Sequence, residues 1–261
     1  MSPASLNRLP VEAVLFDYGL TLMTYTRPEA ALHRAYARVA AAIGDPRWTA
    51  GALLDAVHDR VDARVAAHEA AGSLEEIDIT AAHSEAYREL GIDLDPHQLD
   101  AAMREEQVAW WEGIHVAPDA PPTLRTLRDN GLRLGICSNA PYRPASMREQ
   151  LAHVGLLPLL DAVVFSSEVG WRKPSPRIFA AALAALGADP RTTVHVGDRL
   201  REDVDGAHAA GLRAILLREH HDDPPEWLPD ARADAVLDRL ADLPALLGLQ
   251  PQAGPISMRS L

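Results

Sequence analysis

Residues Val11 to Leu22 read Val-Glu-Ala-Val-Leu-Phe-Asp-Tyr-Gly-Leu-Thr-Leu. The apolar run Val14-Leu15-Phe16 stops at an acid and a glycine-containing turn, the pattern of a buried parallel strand that delivers a carboxylate to a sheet edge. Ligands of open α/β sheets bind outside the carboxyl ends of the strands, so Asp17 is expected to stand in a site. Taken alone, the stretch also fits an aspartate that merely caps the next helix.

From about Pro118 onward, strand and helix patterns alternate. Strands are expected at Leu132 to Cys137, Ala162 to Phe165, Thr193 to Val196 and Arg213 to Leu217, with Ala235 to Leu237 a short edge strand. Helices are expected between them, and Leu240 to Leu247 reads as a closing helix. Repeats of this length imply a parallel sheet covered on both faces. The stretch from about Arg27 to Gly113 differs, because helical patterning runs throughout it. Its four helices are expected from Pro28 to Gly44, from Thr49 to Gly72, from Leu74 to Leu90, and from Asp95-Pro96 towards Trp110. Helices joined by short loops can share one core as a small bundle.

The formal net charge of −12 argues against nucleic-acid or anionic-membrane partners, so a phosphorylated ligand has to be captured locally. One cysteine, Cys137, excludes an intramolecular disulfide and fits a reducing compartment. No apolar run reaches membrane-spanning length, and residues 1–10 lack the apolar centre of a secretion signal; the expected location is cytoplasmic.

Four strand ends present polar groups at one edge: Asp17, then Ser138 with Asn139, then Lys173 in the loop after the third strand, then Asp198 with Asp203. Carboxylates from two strands can share a divalent cation while a lysine and a hydroxyl remain for an anion, the outline of a phosphoryl-transfer site. Mg2+ would offset repulsion between carboxylates and phosphate, Lys173 and Ser138 would contact phosphoryl oxygens, and Asp17 would attack phosphorus.

The order of these residues resembles the haloacid dehalogenase-like hydrolases, in the branch with a helical cap inserted after the first strand. The matching stretches are Phe16 to Leu22, Gly135 to Asn139, Ser167 to Pro174, and His195 to Asp198 continuing to Asp203, Gly206, Ala207 and Gly211. The resemblance implies a Rossmann-like three-layer core with a parallel sheet plus an inserted four-helix-bundle cap. It divides the chain into core residues 1–22, cap 23–115, core 116–249 and a loose tail 250–261. It implies Asp17 as nucleophile and metal ligand, Asp198 as second metal ligand, the Gly19 carbonyl as a further one, and Asp203 as a water-mediated ligand or an orienter of Lys173. Ser138, Asn139, Thr21 and Lys173 are the implied substrate contacts. The expected partner is a small phosphorylated metabolite, and the expected assembly a monomer or homodimer.

One departure stands out. Most phosphatases of this type carry a second aspartate where this chain has Gly19, and a glycine where it has Leu20. That aspartate protonates the leaving group, and losing such a group costs about 10²- to 10⁴-fold in rate. The chain is therefore expected to act on good leaving groups or to borrow a donor from Tyr18, Tyr25 or His33. Two alternatives remain: a metal-independent 2-haloacid dehalogenase, since those relatives also lack the aspartate, and a catalytically weak binder of phosphorylated ligands. His58 and His68 are expected at the surface, Cys137 as inert packing, and His220 to Asp223 as a solvated loop. Of the adjacent Trp110 and Trp111, at most one is expected to face the site.

Overall fold

In a computed structural model, residues 10–220 and 232–249 are described. A six-stranded parallel sheet forms the core, in the order β5-β4-β1-β6-β7-β8. Its strands are β1 (Ala13–Phe16), β4 (Arg133–Ser138), β5 (Ala162–Phe165), β6 (Thr193–Gly197), β7 (Arg213–Leu217) and β8 (Ala235–Leu237). Side chains alternate across the pleat, so Val14 and Phe16 enter one apolar cluster and Ala13 and Leu15 the other. Helices α5 (Ala120–Asp129) and α6 (Pro144–His153) cover the first face, and α8 (Pro176–Leu186), which follows the single turn α7 (Ser166–Val169), covers the second. Burial on both faces explains why these strands read as continuous apolar runs. From β1 the chain steps outward through β4 to β5, then returns to β6 on the opposite side of β1. That reversal opens a crevice at the carboxyl end of β1.

Helices α1 (Glu29–Ile43), α2 (Ala50–Ala70), α3 (Ile79–Glu89) and α4 (Pro96–Trp110) share a separate apolar cluster containing Leu32, Leu53, Leu54 and Val57. Local chemistry sets their ends: Gly44 closes α1 in the left-handed conformation, Thr49 accepts from Ala52 N, and Asp95 with Gln98 forms a capping box on α4.

Two features depart from the sequence reading. The short antiparallel pair β2 (Met23–Tyr25) and β3 (Ile114–Val116) brackets the helical stretch. Beside it the two connections cross so closely that a side chain at Gly113 would strike the Thr26 carbonyl. Helix α3 starts at Ile79 rather than near Leu74, because Asp78 caps it by accepting from Ala81 N. The freed residues run beside the loop that ends at Lys173: Glu76 N donates to Gly170 O at 3.0 Å and Arg172 N to Leu74 O at 2.9 Å. The expected tail 250–261 and the expected loop His221 to Asp223 lie outside the described residues; His220 is exposed.

No helix among the described residues is long and apolar enough to cross a membrane.

Candidate active site

The crevice gathers the predicted residues. Asp17 follows the last residue of β1, and its N donates to Val196 O of β6 at 2.9 Å, so the sheet itself fixes its backbone. The Lys173 ammonium lies 2.8 Å from Asp17 Oδ1 and 2.5 Å from Asp203 Oδ1. One carboxylate oxygen from each of Asp17, Asp198 and Asp203 lies within 4.8 Å of the others, and all three residues are buried. Ser138 ends β4 on the same rim and lines the cavity with Gly19. Thr21 is fully buried with its hydroxyl 3.5 Å from Asp198 Oδ1. Asn139 grips the lysine backbone with both ends of its amide: Oδ1 accepts from Lys173 N at 2.7 Å and Nδ2 donates to Lys173 O at 3.2 Å.

Asp203 is held more tightly than its spacing suggested. It sits on a π-helical turn, Leu200–Asp205, and packs against Gly197, where a side chain would collide with its carboxylate. Its Oδ1 meets Lys173 and, at 2.9 Å, His195 Nε2, while Oδ2 accepts from Arg199 N at 2.9 Å. Asp203 thus carries three donors, the Lys173 ammonium, His195 and the Arg199 N–H. His195, fully buried on β6 with its ring edge-on to Phe179, was missed as a site residue. It stood in an apolar strand run, where a histidine reads as packing.

Electrostatics follow from burial. Burial alone would lower the Lys173 pKa, but Asp17 and Asp203 more than offset it and push it upward. Burial raises Asp203, yet Lys173 and His195 win and hold its carboxyl well below the usual range. At Asp198 the balance goes the other way: burial, then Asp17 and Asp203, outweigh Lys173 and Arg199 and push it up to about 8. The three acids cluster around the Lys173 ammonium, with the Arg199 guanidinium 4.0 Å from Asp198, and their all-oxygen donor set suits a hard divalent cation. Cys137 sits beside this group, its thiol pushed up to about 12 by burial, consistent with inert packing.

Above the rim, a cavity of about 390 Å³ reaches into the helices. Of the expected proton donors, Tyr18 is buried with its hydroxyl donating to Gln150 Oε1 at 3.1 Å, and burial raises its pKa. His33 is exposed and points at Gly51 of α2, away from the cavity, whereas Tyr25 does line it. Trp110 and Trp111 both line it as well, correcting the expectation that only one would.

His58 is not a surface residue. It is buried, 3.0 Å from Glu106 Oε1, and Glu106 also accepts from Tyr36 at 2.7 Å and lies 3.6 Å from His83. His68 is half-buried, its Nε2 2.7 Å from Glu75 O. Burial raises Glu106, but His58 and His83 overcome it and lower its pKa; burial lowers His83, but Glu106 overcomes that and raises it. A lowered carboxyl contributes stability above its unfolded value of about 4.3, and that is lost as pH falls through the folded value. A raised histidine contributes fully below about 6.5, lost as pH rises through its folded value. The cluster is therefore strongest at mildly acidic pH, and Glu106→Gln should cost about 3 kcal/mol there. Urea unfolding across pH checks this, with a smaller difference expected at both extremes.

A family model described as haloacid dehalogenase-like hydrolase matches residues 11–211, from β1 through the rim residues to the glycine before β7. The chain belongs to the haloacid dehalogenase-like hydrolases. Within that family it is 32% identical over 165 residues to a glyceraldehyde 3-phosphate phosphatase of Methanopyrus kandleri, covering 60% of this chain and 70% of that one. It is 40% identical over 116 residues to a phosphoserine phosphatase of Thermus thermophilus, a match spanning 44% of this chain and under half, 46%, of the relative. A crystal structure of a haloacid dehalogenase-family phosphatase from Thermococcus onnurineus superimposes with TM-score 0.60 at 26% identity, over 92% of this chain and all of that one.

Proposed function

We propose that the protein is a magnesium-dependent phosphatase of a small phosphorylated metabolite, with Asp17 as nucleophile and residues 23–115 acting as a cap over the crevice. The observation that carries this reading is the Lys173 ammonium bridging Asp17 and Asp203 within a buried group of three acids. Asp17 and Asp198, with the Gly19 carbonyl, would hold the metal, and Asp203 would contribute through water or through Lys173. When bound, Mg2+ supplies positive charge that offsets repulsion between carboxylate and phosphate.

The chain's own residues do the rest. Lys173 and Ser138 hold phosphoryl oxygens, Asn139 keeps the lysine loop in register, and an Asp17 oxygen attacks phosphorus. The bond to the leaving oxygen breaks, leaving an aspartyl-phosphate that water then hydrolyses to inorganic phosphate. Gly19 offers no proton to the leaving oxygen, so acyl, aryl and anomeric sugar phosphates should turn over better than simple alkyl esters.

Phosphate release from acetyl phosphate, measured with Mg2+ and with a chelator, tests the reading: release is expected only with metal. Halide release from 2-chloropropionate in chelator would establish the dehalogenase reading instead. His195→Phe keeps an aromatic ring in the strand and removes the bond to Asp203. The expected result is a fall in kcat of about 10-fold with little change in KM, as when a partner behind a first-contact residue is lost; unchanged kcat would show that Asp203 orients Lys173 unaided.

A further inference from the structure

The cavity that contains Lys173 is also lined by four aromatic side chains, Tyr25, Trp110, Trp111 and Tyr142, together with Met103 and Met147. The rings are braced rather than loose: Tyr25 meets Trp110 edge-on with centroids 6.4 Å apart, and Trp111 lies against His153 at 5.2 Å. Tyr25 and Tyr142 are 55% and 48% exposed, two of the three large hydrophobic side chains left open to solvent among the described residues. Neither belongs to an apolar cluster of the core or of the helical module, and both line the cavity. Leu20 adds a further apolar residue to the lining, held at φ +60°, a conformation that favours glycine.

We propose that this cavity selects aryl phosphates, with the ring system seated among Tyr25, Trp110, Trp111 and Tyr142 and the phosphate at Lys173. The inference rests on the phosphatase reading and narrows it to a substrate class. Two independent features converge on that class. The wall offers flat apolar surface on which rings stack or meet edge-on. Gly19 supplies no acid, and a phenolate is among the leaving groups that need none. In the step itself, the bond from Asp17 to phosphorus forms while the bond from phosphorus to the aryl oxygen breaks. The electron pair departs with the phenolate, which takes its proton from solvent. Water then attacks phosphorus, frees phosphate and restores the Asp17 carboxylate.

Steady-state kinetics with Mg2+ on 1-naphthyl, phenyl and acetyl phosphate tests this. Naphthol and phenol ionise at similar pH, so the first two substrates differ chiefly in ring surface. The expected kcat/KM is about ten-fold higher for the naphthyl ester. Tyr25→Ala and Tyr142→Ala, at exposed positions where the fold should survive, should each lower the naphthyl-to-acetyl ratio about five-fold. Equal efficiency on the two aryl esters, or ratios unmoved in both variants, would overturn the proposal while leaving the phosphatase reading intact. If none of the three releases phosphate, the phosphatase reading fails, and calorimetric titration of Asp17→Asn decides the ligand class. Binding of 1-naphthyl phosphate about ten-fold tighter than inorganic phosphate would support it, and equal affinities would overturn it.

Discussion

Asp17→Asn should reduce phosphate release from acetyl phosphate by about 10⁴-fold or more, the scale seen when a covalent nucleophile is removed. An amide oxygen is a poor nucleophile, and the change also removes a charge from the group that would hold the metal. The rim should nonetheless persist, because Lys173 keeps Asp203 as a partner and Asp203 keeps His195 and the Arg199 N–H. The loss should therefore fall on kcat in a protein that still unfolds cooperatively. Activity within about ten-fold of the parent would mean that the residue serves binding and another group attacks.

The second large effect runs the other way. Gly19→Asp should raise kcat/KM on a simple alkyl phosphate, such as glycerol phosphate, by about 10²- to 10⁴-fold. The structure has room: a Cβ at Gly19 meets no heavy atom within 4 Å, and its backbone is outside the left-handed region that disfavours side chains. Gly19→Asn separates bulk from acidity, since it fills nearly the same space as aspartate without an ionisable proton. The gain should shrink on acetyl phosphate, whose leaving group needs little protonation. Equal gains on both substrates, or none on the alkyl ester, would show that Gly19 does not set the preference for leaving groups.

The core was legible in the sequence because buried parallel strands write themselves as short apolar runs; three of them end in the rim residues Asp17, Ser138 and Asp198, and Lys173 follows a fourth by one short loop. The meeting of Lys173 with Asp17, 156 residues away, followed from strand order rather than from any local signal. Less legible were contacts that depend on how helices pack. Glu106, His58 and His83 lie on three different helices, and each alone looks like a residue of a solvated face; only docking makes them partners. The pair β2 and β3 escaped because three residues per strand carry no periodicity. The apolar spacing of α3 continues upstream through Ile77 and Leu74, whereas the Asp78 N-cap starts the helix only at Ile79. Those freed residues lie along the loop that carries Lys173, so the helical module touches the rim at a place the sequence did not mark. The aromatic wall was half visible, as adjacent tryptophans, but its tyrosines come from β2 and from the loop after β4.

The central claim is that Asp17 carries the phosphoryl group. Rapid acid quench during turnover of an aryl phosphate with Mg2+, followed by peptide mass spectrometry, measures it directly. A phosphoryl adduct is expected on the peptide containing Asp17, absent in chelator and absent in Asp17→Asn. Steady turnover with that peptide unmodified at every quench time, or with the adduct on a different residue, would contradict it.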